Sequence, residues 1–253
     1  MKGIEKLTSV ELATTLEELV EIFDDYEFVG VPVVDEQRRL VGVVLRENVE
    51  EAVSEQASGS LLKISGIIGG EELRSMPVHQ RSGRRLSWLS INIVLNIIAA
   101  SVIAAYQDTL AAVIALAVFL PIISDMSGCS GNQAVAVSLR ELTLGLVKPF
   151  EILRVVAKEA SVGVINGLAL GSLLSAAAFV WKGNPYLGLV VGGALAINTV
   201  VAVILGGALP LALKRMRVDP ALASGPILTT VTNMCGFFIV LSLATAALPL
   251  LKG

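Results

Sequence analysis

Histidine and cysteine are nearly missing from this chain of 253 residues, which has one of the first and two of the second. A lone histidine, His79, set among basic residues, reads as a solvated residue and rules out a histidine-rich metal centre. Cys129 and Cys235 both lie inside apolar segments, so a secreted disulfide framework is excluded. Charge is scarce as well, at 16% of residues against the roughly 25% usual in soluble domains. No nucleophile–base arrangement, phosphate loop or histidine metal motif is present, so the sequence gives no reason to expect an enzyme. The opening stretch, MKGIEKLTSVELATTLEELVE, is amphipathic and acidic. It lacks the short apolar core and cleavage site of a signal peptide, which predicts a cytosolic N-terminus.

What the chain has in quantity is apolar length. Hydrophobic residues make up 54% of it and the mean hydropathy is +0.76. A membrane helix needs about 20 mostly apolar residues. Five such runs are found, over approximately 86–107, 109–139, 160–181, 186–213 and 220–251. The charge is divided. Residues 1–72 hold 16 acids and 6 bases, whereas 73–253 hold 6 acids and 13 bases. The expected division is therefore a cytosolic domain over 1–56, a connecting or plug-helix region over 57–85 and a five-helix transmembrane domain over 86–253. Basic residues set the orientation. Arg81, Arg84 and Arg85 precede the first run, Arg140, Lys148, Arg154 and Lys158 follow the second, and Lys214, Arg215 and Arg217 follow the fourth. The alternate connections have almost none. This predicts a multi-pass protein of the cell (inner) membrane, with its N-terminus in the cytosol and its C-terminus outside.

The acidic segment alternates helix and strand. TLEELVEIFDDY has Leu16, Leu19, Val20 and Phe23 at helical spacing. FVGVPVVDEQRRLVGVVL forms two β-rich runs about a turn at 35–39, and residues 47–56 can form another helix. This order, with VGVPVVDEQRRLVGVV at its centre, resembles a CBS domain, a module that usually occurs in pairs and often binds adenine nucleotides. One copy is present, with a poorly marked first strand. Leu45, Arg46, Glu47 and Asn48 stand where nucleotide-binding copies carry Ser or Thr and then Asp, so nucleotide binding does not carry over and a structural or dimerising module is expected.

Polar groups inside apolar runs are costly and usually face a bundle interior or a water-filled path. Asp125 lies about 15 residues from either end of the second run, roughly 22 Å at helical rise, which places it near mid-membrane. Ser127, Gly128, Cys129, Ser130, Gly131, Asn132 and Gln133 follow almost at once, and their glycines predict a loosened helix with free carbonyl oxygens. The fifth run has a second cluster: Gly225, Pro226, Thr229, Thr230, Thr232 and Asn233. Pro226 disturbs the helix, and Asn233 falls roughly 20 Å in from Pro220, a depth similar to that of Asp125. Oxygen donors around an ion that keeps several waters suit magnesium. Asp125, Asn233, Thr229 and Asn132 are the metal candidates. Ser127, Gly128, Cys129, Gly131, Gly225, Thr230 and Thr232 are the pore-lining candidates. Asn92, Asn96, Asn166 and Asn198 are expected to make interhelical hydrogen bonds.

The segments PIISDMSGCSGNQAVAVSLRELTLG and DPALASGPILTTVTNMCGFF resemble the second and fifth transmembrane segments of the MgtE family of magnesium channels. With the span count, the orientation and the CBS-like domain, the resemblance covers nearly the whole chain. It implies a mainly α protein: a five-helix transmembrane domain preceded by a small α/β CBS-like cytosolic domain. It also implies a homodimer in the bilayer, with a pore between the two copies lined by these two segments. Hydrated Mg²⁺ would be the transported ion and a possible regulator, binding the acidic domain to close the pore through the connecting helix. No nucleic acid partner is implied. The chain departs from the family pattern at Asn233, where an Asp is usual, at Asp125, where a small residue is usual, and at Cys129, often an Asn. The two thiols near the pore keep open a relative that transports Co²⁺ or Ni²⁺. Glycines 163, 167 and 171 suit a close helix contact, either between two copies or within one. A non-conducting membrane-anchored sensor is the other alternative, to which a mid-membrane carboxylate adds nothing.

Overall fold

The computed structural model describes residues 8–67 and 74–251. Part of the expected connector, 68–73, and the first seven residues of the acidic segment lie outside the described residues. The chain divides into two compact units, Met1–Leu62 and Lys63–Gly253.

In the first unit, helix α1 (Leu16–Asp25) starts on a capping box. The Thr15 hydroxyl accepts the Glu18 N–H, and the Glu18 carboxylate accepts the Thr15 N–H at 2.9 Å. Strand β1 (Val10–Glu11) pairs parallel with β2 (Gly30–Val34), which pairs antiparallel with β3 (Leu40–Leu45). The β2–β3 turn is closed by Asp35, whose Oδ1 accepts the Gln37 and Arg39 backbone N–H groups, with Arg38 left-handed at φ 58°. Val10, Phe23, Val31, Val33 and Val49 form the core of the unit. Arg46 opens helix α2 (Arg46–Ile64) at the position where the CBS resemblance expects a polar ligand group. Its guanidinium instead donates to the carbonyls of Phe23, Tyr26 and Phe28 and lies 5.3 Å above the Phe23 ring. It thereby ties the end of α1 and the segment leading to β2 to the start of α2.

The second unit holds α3 (Val78–Ala105), α4 (Gln107–Ala112), α5 (Leu116–Thr143), α6 (Ile152–Lys182), α7 (Pro185–Arg215), α8 (Pro220–Ala246) and the short α9 (Leu248–Leu251). Four of these, α3, α6, α7 and α8, are long and apolar enough to cross a membrane. The second expected run, 109–139, does not meet that measure as one helix. It is divided into α4 and α5, and α5, at 28 residues, carries the polar sequence around Asp125 that lowers its apolarity. The ends follow local chemistry. Asn184 caps α7 ahead of Pro185, Asp219 caps α8 ahead of Pro220, and Gly183 ends α6 at φ 72°.

Helix α7 is the centre of the unit, packed against α6, α5 and α8. Gly163, Gly167 and Gly171 face it. A Cβ at Gly167 would lie 2.6 Å from the Ala196 carbonyl oxygen, and one at Gly171 2.6 Å from that of Gly192. The glycine repeat is thus used inside the chain, between α6 and α7. Helix α3 packs along α8 and buries only Ala99, leaving Ile93, Val94 and Ile97 more than half exposed. It starts at Val78, so Arg81, Arg84 and Arg85, at the end of the expected connecting or plug-helix region, are helical.

The expected loosening of the second run is not found. Helix α5 continues unbroken through Ser127–Gly131, and α8 continues through Pro226. The intrinsic cost of a glycine in a helix, about 1 kcal/mol, is outweighed by close packing on α7. A Cβ at Gly131 would come within 2.9 Å of the Ala202 carbonyl, and the Ser138 hydroxyl donates to the Gly207 carbonyl at 2.9 Å.

Candidate cation site

A cleft of about 570 Å³ opens between α5 and α8, with Ile103 of α3 at its edge. One wall is a stripe of α5 at helical spacing: Pro121, Ser124, Asp125, Gly128, Cys129 and Asn132. The facing wall is Thr229, Asn233 and Phe237 of α8, one turn apart. All four metal candidates, Asp125, Asn132, Thr229 and Asn233, are therefore brought together, with Gly128 and Cys129 beside them. The level is set by one bond: the Ser124 hydroxyl donates to Asn233 Oδ1 at 2.6 Å. Asp125 follows Ser124 directly, so the carboxylate and the amide stand at the same depth.

Asp125 is exposed to the cleft, is the only carboxylate on its walls, and makes no ion pair among the described residues. Arg140, a basic residue of the same helix, lies 15 residues further along it, roughly 22 Å away. The Thr229 hydroxyl donates back to the Gly225 carbonyl at 3.0 Å, so its lone pairs remain to accept from water or face a cation. Pro121 has no N–H for the Ala117 carbonyl, which is thereby freed of its usual helical partner, and Ala117 also lines the cleft. The donor set is one carboxylate, two amides, hydroxyls and a carbonyl, with the Cys129 thiol as its single soft member. Six waters occupy about 180 Å³ at their liquid volume, so the cleft has room for a hexahydrated ion. Mg²⁺, which sheds water reluctantly, fits such a site better than a metal needing a close ring of thiolates or imidazoles.

Several pore-lining candidates lie elsewhere. Ser127 and Thr232 are fully buried, and Gly131 is buried against α7 and Leu228. The three sit on the inner sides of α5 and α8, where small residues permit close packing. Gly225 and Thr230 are also absent from the cleft wall; the Thr230 hydroxyl donates to the Pro226 carbonyl at 2.7 Å. Cys235 is half-buried and off the cleft, whereas Cys129 faces it. Asn198 makes the expected interhelical bonds, but Asn92 and Asn96 donate to carbonyls of their own helix, at Trp88 and Asn92. Sequence reasoning missed Ser124 and Pro121 as members of the site. The signal was available in the i, i+4 stripes Pro121–Asp125–Cys129 and Ser124–Gly128–Asn132.

These two helices also carry the match to known proteins. The family model described as MgtE, divalent cation transporter, matches residues 120–243, which include every cleft residue of α8 and those of α5 from Leu120 onward. The CBS domain model matches residues 4–55. Over 95% of its length the chain is 30% identical to the magnesium transporter MgtE of Bacillus subtilis (strain 168). Over 94% it is 34% identical to the magnesium transporter MgtE of Thermus thermophilus. The chain belongs to the MgtE family. It spans about half the length, 53%, of each of these relatives. The α5–α8 cleft is lined almost wholly by the MgtE-matched region, and the CBS-matched segment contains β1–β3.

Proposed function

We propose that this MgtE-family chain passes hydrated Mg²⁺ across a membrane along the α5–α8 cleft. The reading is carried by Asp125, an exposed carboxylate with no ion pair among the described residues, at the level of Asn233 in a cleft wide enough for an ion with its water shell. A carboxylate held among apolar helices is a costly feature that a membrane anchor would not need. The family match and the relatives named as magnesium transporters support the choice of ion.

In this proposal the chain works as a homodimer in the bilayer, and two α5–α8 clefts face each other to enclose the pore. The largely uncovered apolar face of α3 and the open side of the cleft favour such a partner. The basic residues between α5 and α6 and between α7 and α8 face the cytosol, together with the N-terminal unit. That unit, with ten more acids than bases over residues 1–72, acts as a weak Mg²⁺ sensor that favours the closed pore. The exposed Cys129 thiol favours a second reading, transport of Co²⁺ or Ni²⁺.

Purified chain in liposomes, loaded with a fluorescent magnesium indicator and challenged with Mg²⁺, Ca²⁺, Co²⁺ or Ni²⁺, tests the proposal. Uptake of Mg²⁺ above empty liposomes is the expected result. Uptake of Co²⁺ or Ni²⁺ without Mg²⁺ favours the second reading, and no flux of any divalent ion refutes conduction.

A further inference from the structure

Asn198 is the most unusual polar residue outside the cleft. It lies near the middle of α7, fully buried, and touches both cleft-forming helices from behind. Its Nδ2 donates to the Ser127 hydroxyl of α5 at 2.6 Å and to the Thr232 carbonyl of α8 at 3.1 Å. Ser127 passes the link on by donating to the Ile123 carbonyl. These contacts are adjacent to the site: Ser127 is two residues beyond Asp125, and Thr232 directly precedes Asn233. The opposite wall is closed by the bond from Ser124 to Asn233. The two helices are therefore tied at one level twice, once across the cleft and once through α7.

Two further observations mark the position. Gly236 of α8 stands against the amide, and a Cβ there would come within 2.6 Å of Nδ2, so a side chain at 236 displaces the Asn198 amide from this place. The other end of the amide is left over: Asn198 Oδ1 has no hydrogen-bond partner among the described residues, nor does Thr199 Oγ1. Buried acceptors are nearly always paired. An apolar residue of similar size would fill the space without stranding an acceptor, but it could not hold α5 and α8 together.

We infer that Asn198 is a positioning residue for ion discrimination: it fixes the separation of α5 and α8 at the level of Asp125 and Asn233, and so the fit of the cleft to a hydrated Mg²⁺. This rests on the proposal that the α5–α8 cleft conducts. Mg²⁺ holds a strict octahedral water shell, whereas Ca²⁺ accepts six to eight ligands in flexible geometry. A cleft of set width favours the first ion, and a cleft free to widen loses that preference.

The test measures Mg²⁺ and Ca²⁺ flux in liposomes for the parent chain, Asn198→Ala, Gly236→Ala and the double variant, each shown to be folded and monodisperse before reconstitution. The Mg²⁺/Ca²⁺ flux ratio is expected to fall by about three- to tenfold in each single variant, as loss of one or two buried hydrogen bonds would give. It should fall no further in the double variant, because both changes displace the same amide. A merely structural role lowers the two fluxes together and leaves the ratio unchanged. If Asn198→Ala is not recovered folded, Ser127→Ala, which deletes a single link, takes its place with the same expected fall. A parental ratio in the folded variants, or effects that multiply in the double variant, overturns the inference while conduction stands. A parent chain without flux refutes conduction, and this inference with it.

Discussion

Moving the negative charge from one wall of the cleft to the other provides the sharpest test of the ion path. Asp125→Asn removes the only carboxylate that lines it among the described residues. An ion that keeps its first water shell stands about 5 Å from the carboxylate oxygen, from a metal–water distance of about 2.1 Å and a charge-assisted hydrogen bond of about 2.7 Å. Coulomb attraction between charges of +2 and −1 at that distance is about 1.7 kcal/mol in water and about 6.6 kcal/mol at an effective dielectric of 20. Asp125 is exposed in an open cleft, which favours the lower part of that range, about 2–4 kcal/mol, or roughly 30- to 1,000-fold in occupancy. Flux at sub-saturating Mg²⁺ should fall by about the same factor. Stability should change by less than about 0.5 kcal/mol, as Asp125 has no ion pair among the described residues to lose. Asn233→Asp restores charge on the other wall at the same depth. The Ser124 hydroxyl, already donating to Asn233 Oδ1 at 2.6 Å, serves a carboxylate equally well. Asn233→Asp alone should therefore conduct, and Asn233→Asp with Asp125→Asn should recover part of the lost flux. Each is read by indicator fluorescence in liposomes over a range of Mg²⁺ concentrations. If Asp125→Asn conducts as the parent does, the charge has no part in conduction, and neutral oxygens such as the Ala117 carbonyl carry the ion.

The other expectations concern stability and the acidic unit. Asp219→Ala removes the cap of α8 and should cost about 1 kcal/mol in denaturant unfolding of the detergent-solubilised protein. Partial burial would raise the Asp219 carboxyl, but the hydrogen bond and charge of Lys63 at 2.7 Å, with the Ala221 and Leu222 N–H groups, outweigh it and hold it below the usual carboxylate range. A carboxylate depressed on folding stabilises at pH above its unfolded value and loses that contribution as pH falls through the folded one. Lys63→Met should therefore weaken the parent at neutral pH, and the difference should begin to shrink below about pH 3.8 and vanish only once the pH is below the depressed folded value, seen in paired pH titrations of stability. Gly206→Ala drives a methyl into the Gly131 carbonyl oxygen and should destabilise by about 1–3 kcal/mol, measured in the same unfolding assay. Millimolar Mg²⁺ should increase protection of residues 57–85 from added protease; identical digestion with and without the ion would refute the sensing role.

Much of the scaffold was legible because its signals are local. Thr15 and Glu18, three residues apart, mark the start of α1; Asn184–Pro185 and Asp219–Pro220 mark those of α7 and α8. The β2–β3 hairpin follows from two β-rich runs around Asp35. What could not be read depends on partners distant in sequence. Gly163, Gly167 and Gly171 announce a close approach without naming the helix that approaches, and the answer is Val200, Ala196 and Gly192 of α7. Arg46 looked like a failed ligand position, whereas its guanidinium closes carbonyls 18 to 23 residues earlier in the chain.

The polar run of α5 shows why half of the site was misread. Taken as composition, two glycines among serines and amides suggest a helix coming apart. In the fold the same residues sort onto two faces of an unbroken helix. Asp125, Gly128, Cys129 and Asn132 face the cleft, where polarity serves water and an ion. Ser127, Gly131 and Ser138 face α7, where small size lets backbones meet and each hydroxyl finds a partner in or across the helix pair. A 3.6-residue period separates the two sets once a partner is known. It cannot say which set faces protein, because serine and glycine are equally suited to close packing and to a wet wall. Only Asp125 decides the matter from sequence. A carboxylate is too costly to bury unpaired, so the face that carries it must be the one open to water. The residues one turn either side of Asp125 then belong to the cleft, and those about 120–160° around the helix from it, Ser127 and Gly131 among them, to the packing seam.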